Sequence, residues 1–406
     1  MIWSISWRNI WRSRVRSIVI LSAIALGLFA GVYSVAFMLG WVNQRVNNII
    51  ATESSHIQIH HPEYLKSNDV KDFIPNIREV RKETEAEPRV KAAAERVIVN
   101  AMVSSAETGS GVQLIGVDPQ HEKQVTDLHE KIIKGSYLNQ KYTNQIIIGK
   151  ALAEKLKVKE KSKIVVTLTE LDGTLTGGSF RVSGIFKTAN TTYDEMKAFV
   201  RTDDLRDLIQ LDETSGHEIA VLLNENDIEK PVRQELEKSF PNLDVKSWLQ
   251  LMPEMQMMNE NMGFMMYFFV GIILLALGFG IVNTMLMVIL ERVKELGMLM
   301  AIGMNRKRVF GMIMLETVLL SLTGGVIGII LALIITGITQ QTGVDLSMWA
   351  EGLNAYGFNS VIYPEIDLVS IIEITFLVII IGVLAAIYPA RKAIKLNPAE
   401  AIRTDN

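Results

Sequence analysis

Four stretches of the chain are apolar for longer than the roughly 20 residues a helix needs to cross a bilayer. They are residues 18–41, 263–290, 309–338 and 368–388. The first two carry no charge, the third holds Glu316, and the fourth holds Glu373 near its start. Between the first two, the pattern changes. Residues 56–60, 97–99, 112–117, 145–148, 163–169, 180–186, 218–223 and 243–248 read as strands, with Asp172-Gly173 as a turn. Residues 77–85, 150–157 and 227–240 read as helices. The pattern predicts a membrane α-helical fold of four transmembrane helices with a large extracytoplasmic α+β domain (42–262) between helices 1 and 2. That domain divides into a split α/β subdomain (about 56–99 and 217–250), a β-rich insertion (about 100–200) and a stalk (251–262).

Lysine and arginine bias orients the spans. Arg8, Arg12, Arg14 and Arg16 precede the first; Arg292, Lys294, Arg306, Lys307 and Arg308 lie between the second and third. Arg391, Lys392, Lys395 and Arg403 follow the fourth, whereas the outer loop 339–367 has neither residue type but carries Asp345, Glu351, Glu365 and Asp367. The expected arrangement is N-in/C-in, with cytoplasmic segments at 291–308 and 389–406. Within residues 1–17, Trp3, Trp7 and Trp11 recur every four positions beside Ile10. Such a face suits an amphipathic helix lying in the inner headgroup layer; a simple basic topology anchor is the alternative. The first span could also open as a cleaved signal peptide, with Ser34-Val35-Ala36 mimicking a cleavage site, though its apolar stretch is long for one.

Composition narrows the chemistry. Hydrophobic residues at 49% beside charged ones at 21% fit a chain part in lipid and part in water. A net charge of −3 and no long basic tract argue against a nucleic-acid partner. Without cysteine, disulfides and thiolate metal sites are excluded. Six histidines without H-E-x-x-H offer no metal site; His56, His60 and His61 read as solvated strand-end residues. No G-x-x-x-x-G-K-[ST] occurs, and Gly149-Lys150 lacks both the earlier glycine and the following Ser or Thr. The chain is therefore expected to be no enzyme and to hold no cofactor; if ATP is the energy source, it and its Mg must be bound by a partner subunit.

Three features invite a function. Residues 291–308 combine flanking charge with an apolar face of Leu296, Leu299, Met300 and Ile302. They suit a short helix docking on a soluble partner, or a plain topogenic loop. Met255, Met258, Met262, Met265 and Phe269 follow helical spacing, with Met252, Met257 and Met266 beside them. This seam suits acyl chains or another variable apolar ligand, or ordinary helix packing. Gly324 and Gly328 form a small-xxx-small face for close helix approach, or are neutral filler.

The motifs resemble the MacB/FtsX-type (type VII) ABC permeases over nearly the whole chain. Glu291-Arg292-Val293-Lys294-Glu295-Leu296-Gly297 with Met300-Ala301-Ile302-Gly303-Met304 is similar to that family's coupling-helix segment, Met304 standing where a small residue is usual. Glu316 with Gly324, Gly325 and Gly328 is similar to its third helix. Pro389-Ala390-Arg391-Lys392-Ala393 with 397–403 resembles its tail, and Ile147-Ile148-Gly149-Lys150-Ala151-Leu152-Ala153 a motif preceding barrel-like strands. The resemblance implies a multi-pass inner-membrane permease, paired as a homo- or heterodimer on two copies of a separate ABC ATPase, and working by mechanotransmission. It makes Glu291, Arg292, Lys294, Glu295, Leu296, Gly297, Met300, Ala301, Gly303 and Met304 the ATPase-coupling residues. The layout looks most like the lipoprotein-release permeases, which implies an acyl-chain lining of Phe37, Met38, Trp41 and Val42 with Met258, Met262, Met265 and Met266. The alternatives are a MacB-like tripartite efflux or peptide-export permease with a periplasmic adaptor, and an FtsX-like non-transporting regulator of cell-wall hydrolases. Outside the class stand a receptor-like membrane protein without an ATPase and a lipid-acting enzyme, for which no catalytic constellation is evident.

Overall fold

The computed structural model describes residues 14–395. The expected interfacial helix thus lies almost wholly outside the described residues, as does the tail motif at 397–403. The chain divides into two compact units. One comprises Met1–Val42, Glu260–Asp345 and Val361–Asn406; the other comprises Asn43–Asn259 and Leu346–Ser360.

The first unit contains the apolar lengths of four helices: Arg14–Asn48, Pro253–Glu291, Arg306–Thr342 and Leu368–Ile394. All four are long and apolar enough to cross a membrane. Asn305 caps the third by accepting from Lys307 N, and Asp367 caps the fourth by accepting from Val369 N and Ser370 N. Ile24, Leu28, Leu277, Ile281, Ile313, Leu320, Ile374 and Val378 pack together inside the bundle. The outer faces are apolar as well: Phe264, Phe279 and Leu368 are each about three-quarters exposed. A helix apolar all round suits lipid as solvent. The helices overrun the apolar windows because hydropathy marks contact with lipid, whereas the helix continues wherever its backbone bonds are satisfied. Past residue 41 the first helix continues to Asn48 and then loosens into a π-helical stretch, Ile49–Ser54.

The second unit is built on one ten-stranded sheet. Strands β1 (Ile57–His60), β2 (Val90–Ser104), β9 (Glu218–Leu223) and β10 (Asp244–Ser247) lie in the order β10-β1-β9-β2. Helices Ile77–Glu85 and Glu229–Ser239 connect β1 to β2 and β9 to β10, giving two strand-helix-strand halves separated in sequence. Ile57, Ile59, Ile77, Ile219, Val232 and Val245 share their core. The remaining strands are β3 (Gly109–Val117), β4 (Ile132–Gly135), β5 (Gln145–Gly149), β6 (Lys163–Thr169), β7 (Leu175–Phe186) and β8 (Lys197–Arg201). The pairings β2-β3-β8-β5-β7-β6 return to β2 and close a barrel, filled by Val99, Leu114, Ile148, Val166, Phe180 and Val200. Closure leaves those strands no free edge.

The α/β part and the β-rich part are therefore one sheet. The 15-residue β2 pairs with β9 near its start and with β3 and β6 further on, crossing the expected boundary near residue 100. Gly149 closes β5 against the helix Thr191–Met196. A Cβ there would lie 2.0 Å from the Asp194 carbonyl oxygen, so only glycine fits. Its place beside Lys150 is set by packing.

Candidate functional site

Two places in the membrane unit and one in the outer unit bring the singled-out residues together. The first is an apolar groove of about 430 Å³ between the first and second membrane helices. Tyr33, Ser34, Val35, Phe37, Met38 and Trp41 line one wall; Met266, Phe269, Val270, Ile272 and Ile273 line the other. The Phe37 and Trp41 rings lie 6.3 Å apart, centroid to centroid. The volume is in the range of ligand sites, and an almost wholly apolar wall suits a hydrocarbon better than a polar solute. Of the expected lining, the groove gathers Phe37, Met38, Trp41 and Met266. It does not gather Val42, Met258, Met262 or Met265. Val42 is buried and Met265 is exposed. Met258 belongs to the outer unit, where it and the buried Met255 pack on Ile49, Ile50 and Trp248. The outer end of the methionine seam is thus occupied by packing, and the open volume lies further along the helix, at Phe269 and Ile273.

The second place is the foot. The helix Val293–Ala301 follows the second membrane helix after a break at Arg292. Arg292 Nε donates to Glu295 Oε2 at 3.0 Å, and its Nη1 reaches both Glu316 carboxylate oxygens at 3.3 Å. Glu316, an acid inside an apolar helix, thus meets the guanidinium at the joint, the pairing a buried carboxylate needs. The expected apolar docking face is corrected here. Leu296 and Gly297 are buried, and Leu299, Met300 and Met304 pack on the bundle core, because an apolar helix beside an apolar bundle gains more by joining it. Glu291, Lys294, Ala301 and Gly303 stay exposed, while Arg292 and Glu295 are half-buried. Two apolar side chains remain outward: Met298, and Ile302 at 80% exposure. Ile302 belongs to the apolar face read from the sequence, whereas Met298 lies outside it.

The third is a buried charged network in the outer unit. Arg96 on β2 donates to Glu122 at 2.7 Å and to Glu218 at 2.6 Å, and His60 Nε2 lies 3.0 Å from Glu218. Burial alone would raise the Glu218 carboxyl; the Arg96 guanidinium and His60 outweigh it and hold it at about 2. Burial lowers His217 to about 4. Burial also lowers Lys197, which hydrogen-bonds Gln113. The expectation of solvated histidines fails for two of the three. His56 and His60 are buried and bonded, His56 to Asn226 and Leu223 N, while His61 is half-buried. Alternation in His56–His60 marked the strand correctly, but both its faces are covered. Among the described residues, no group of His, Asp and Glu could hold a metal ion.

The small-residue face also has a geometry. A Cβ at Gly324 would lie 3.0 Å from Ile24, and one at Gly328 would lie 2.7 Å from the Ala25 carbonyl oxygen. The first and third membrane helices approach closely there.

This architecture coincides with family matches at both ends. The MacB-like periplasmic core domain matches residues 17–239, more than half the chain, and the FtsX-like permease C-terminal domain matches 267–398. The lipoprotein-releasing system transmembrane protein LolC of Neisseria meningitidis is 23% identical over 400 residues, covering 95% of this chain and 94% of its own. An ABC transporter permease of Methanocaldococcus jannaschii is 30% identical over 231 residues, 55% of each chain. The macrolide export ATP-binding/permease protein MacB of Chlorobium luteolum is 36% identical over 124 residues, 30% of this chain and 16% of its own. Among solved structures, the extracellular domain of YknZ gives a TM-score of 0.34 at 15% identity, over 47% of this chain and 98% of that one. The periplasmic region of MacB from Actinobacillus actinomycetemcomitans gives 0.35 at 10%, over 52% and 98%. The family models and the curated relatives define a membrane permease of the ABC transporter class, whose members work with ATPase partners. The chain belongs to the MacB/FtsX family of such permeases.

Proposed function

We propose that the chain is the permease subunit of a lipoprotein-releasing transporter in the inner membrane, working by mechanotransmission. ATP and Mg bind to a separate ATPase, two copies of which meet the feet of two permeases, identical or paralogous. The outward Met298 and Ile302, framed by Glu291 and Lys294, form the contact, and the Arg292–Glu316 pair ties the foot to the third helix. One observation carries the reading. The first membrane helix runs unbroken from its apolar span to Asn48, and the turn that follows is bolted into the outer unit. Thr52 Oγ1 donates to Asp127 at 2.6 Å, Asp127 N to Ala51 O at 2.9 Å, and Tyr193 Oη to Thr52 O at 3.2 Å. A helix so anchored carries displacement as a rod carries it. On this reading the groove receives the lipid anchor of a lipoprotein.

Similarity to a lipoprotein-releasing protein over 95% of the chain supports this substrate; export of a small molecule is the second reading, favoured by the MacB-like match over residues 17–239. The test is purification with an ATPase-inactive partner from native membrane, followed by mass spectrometry. A trapped lipoprotein is expected; a small molecule with a periplasmic adaptor would transfer the reading to efflux. Ser34→Trp should fill the groove and reduce lipoprotein release by about tenfold while ATP hydrolysis persists, equivalent to about 1.4 kcal/mol of lost anchor binding. Unchanged release would remove the groove from the path.

A further inference from the structure

The connection between the third and fourth membrane helices is more than a loop. Its outer stretch, Leu346–Ser360, belongs to the same compact unit as the large outer domain. At its base, Leu346 N donates to Ser360 O at 2.7 Å, next to the short pairing of Val344 with Ile362. At its far side it meets the end of the first membrane helix. Gly357, at φ +78°, lies flat against Arg45: a Cβ there would be 2.5 Å from the guanidinium carbon. Arg45 is 6% exposed and donates to Glu53 Oε1 at 2.5 Å, and Asn190 Nδ2 donates to the other Glu53 oxygen at 3.1 Å. Asn48 Nδ2 donates to Asn359 at 3.2 Å, and Thr192 Oγ1 donates to Ala355 O at 3.2 Å.

We propose that this segment is a strap giving the outer domain an input from the third and fourth helices, and that Arg45 is the positioning residue of its seat. The inference rests on the permease reading above and adds a path to it. Three observations argue for a reversible seat. The contacts with the helix end and the domain are polar, and polar contacts re-form after opening at little net cost. No residue of the strap's helix, Ala350–Ala355, is buried, so little apolar area opposes release. Arg45 and Glu53 sit on either side of the change from α- to π-helix, a geometry that recurs at functional sites. A movement of the first helix end would therefore displace the guanidinium from beneath Gly357 and free the strap. Conversely, a pull from the third and fourth helices would reach Glu53 and Asn190 through Arg45.

The chain has no cysteine, so Asn48→Cys with Asn359→Cys creates one unique pair in the full-length protein, in membranes with its ATPase. Mild oxidation should cross-link it without nucleotide. Adding Arg45→Met should lower the yield by about tenfold, the factor that corresponds to about 1.4 kcal/mol, and Gly357→Val should act alike. An unchanged melting temperature would show that the fold survives; if it falls, Arg45→Lys keeps the charge but not the planar surface and serves in its place. ATP with vanadate should also lower the yield. Equal yield with and without Arg45 would overturn the seat, and equal yield with and without nucleotide would overturn the strap. Failure of any ATPase to co-purify would instead count against the permease reading, and the Arg45 comparison would still decide the seat.

Discussion

His217 shows how one buried side chain makes the outer domain sensitive to acid. Its Nδ1 accepts from Ile98 N at 3.1 Å, and its Nε2 lies 3.0 Å from the Val70 carbonyl oxygen. Those partners fix the neutral tautomer with the proton on Nε2. A second proton would point Nδ1–H at an N–H group in a site without solvent. Burial accordingly depresses the imidazole from 6.5 to about 4. Between those values the unfolded chain binds more protons than the folded one, so stability falls as pH falls through this window. The shift corresponds to about 3 kcal/mol. Asp194 works in the opposite direction: burial raises it to about 6, so its contribution is present at low pH and lost as pH rises through 6. The two nearly cancel in the parent, and the informative quantity is a difference. The gap in unfolding free energy between parent and His217→Gln should narrow by about 3 kcal/mol from pH 7.5 to 4. Denaturant unfolding at several pH values measures it, and a constant gap would show that the imidazole is not held neutral.

Among elements, the close approach of the first and third membrane helices gives a sharper test than apolar packing. A leucine at Gly328 must displace the Ala25 backbone, whereas at Gly337, on the same helix, nothing lies within 4 Å of a Cβ. Gly328→Leu should cost about 1–3 kcal/mol by overpacking, and Gly337→Leu little. Thermal unfolding in detergent distinguishes them; equal effects would mean that the helices do not meet there. Elements with a strong period were legible from the sequence. The helix Ile77–Glu85 and strand β6 begin and end where the pattern placed them, because one covered face imposes the 3.6-residue repeat or the alternation; β9, covered on both faces, is legible instead as a short continuous apolar run. The helix Thr202–Ile209 and strand β8 were missed, since each is short and follows the other without a turn signal. Barrel closure could not be read either, because pairing β6 to β2 joins residues some sixty positions apart through no local signature. The groove was half legible: aromatic and methionine residues marked the helices, but packing of Met255 and Met258 decided where space remained. Arg45 could not be singled out from the sequence, because the glycine it packs against, Gly357, lies in a distant segment of the chain.

At the scale of the whole molecule, the direction of work depends on which side of the membrane holds the large domain. Arginine and lysine at a short flank favour its retention on the inner side, and three flanks of this chain are basic while the fourth is acidic. The foot carries Arg292, Lys294, Arg306, Lys307 and Arg308 within one short segment, while the connection from Thr339 to Asp367 carries none. Reversing this orientation would place that cluster outside and put the strap, with its Glu351, on the ATPase side. The foot could then no longer receive force from a cytosolic motor. Single cysteines in the cysteine-free chain decide the matter. Lys141 and Lys307 are both exposed, one in the outer unit and the other beside the foot. With the inner membrane sealed, an impermeant maleimide should label Lys141→Cys and leave Lys307→Cys untouched until detergent is added. The reverse pattern would put the domain in the cytosol, and with it would go both the docking role of Met298 and Ile302 and the outward transmission of force along the first helix.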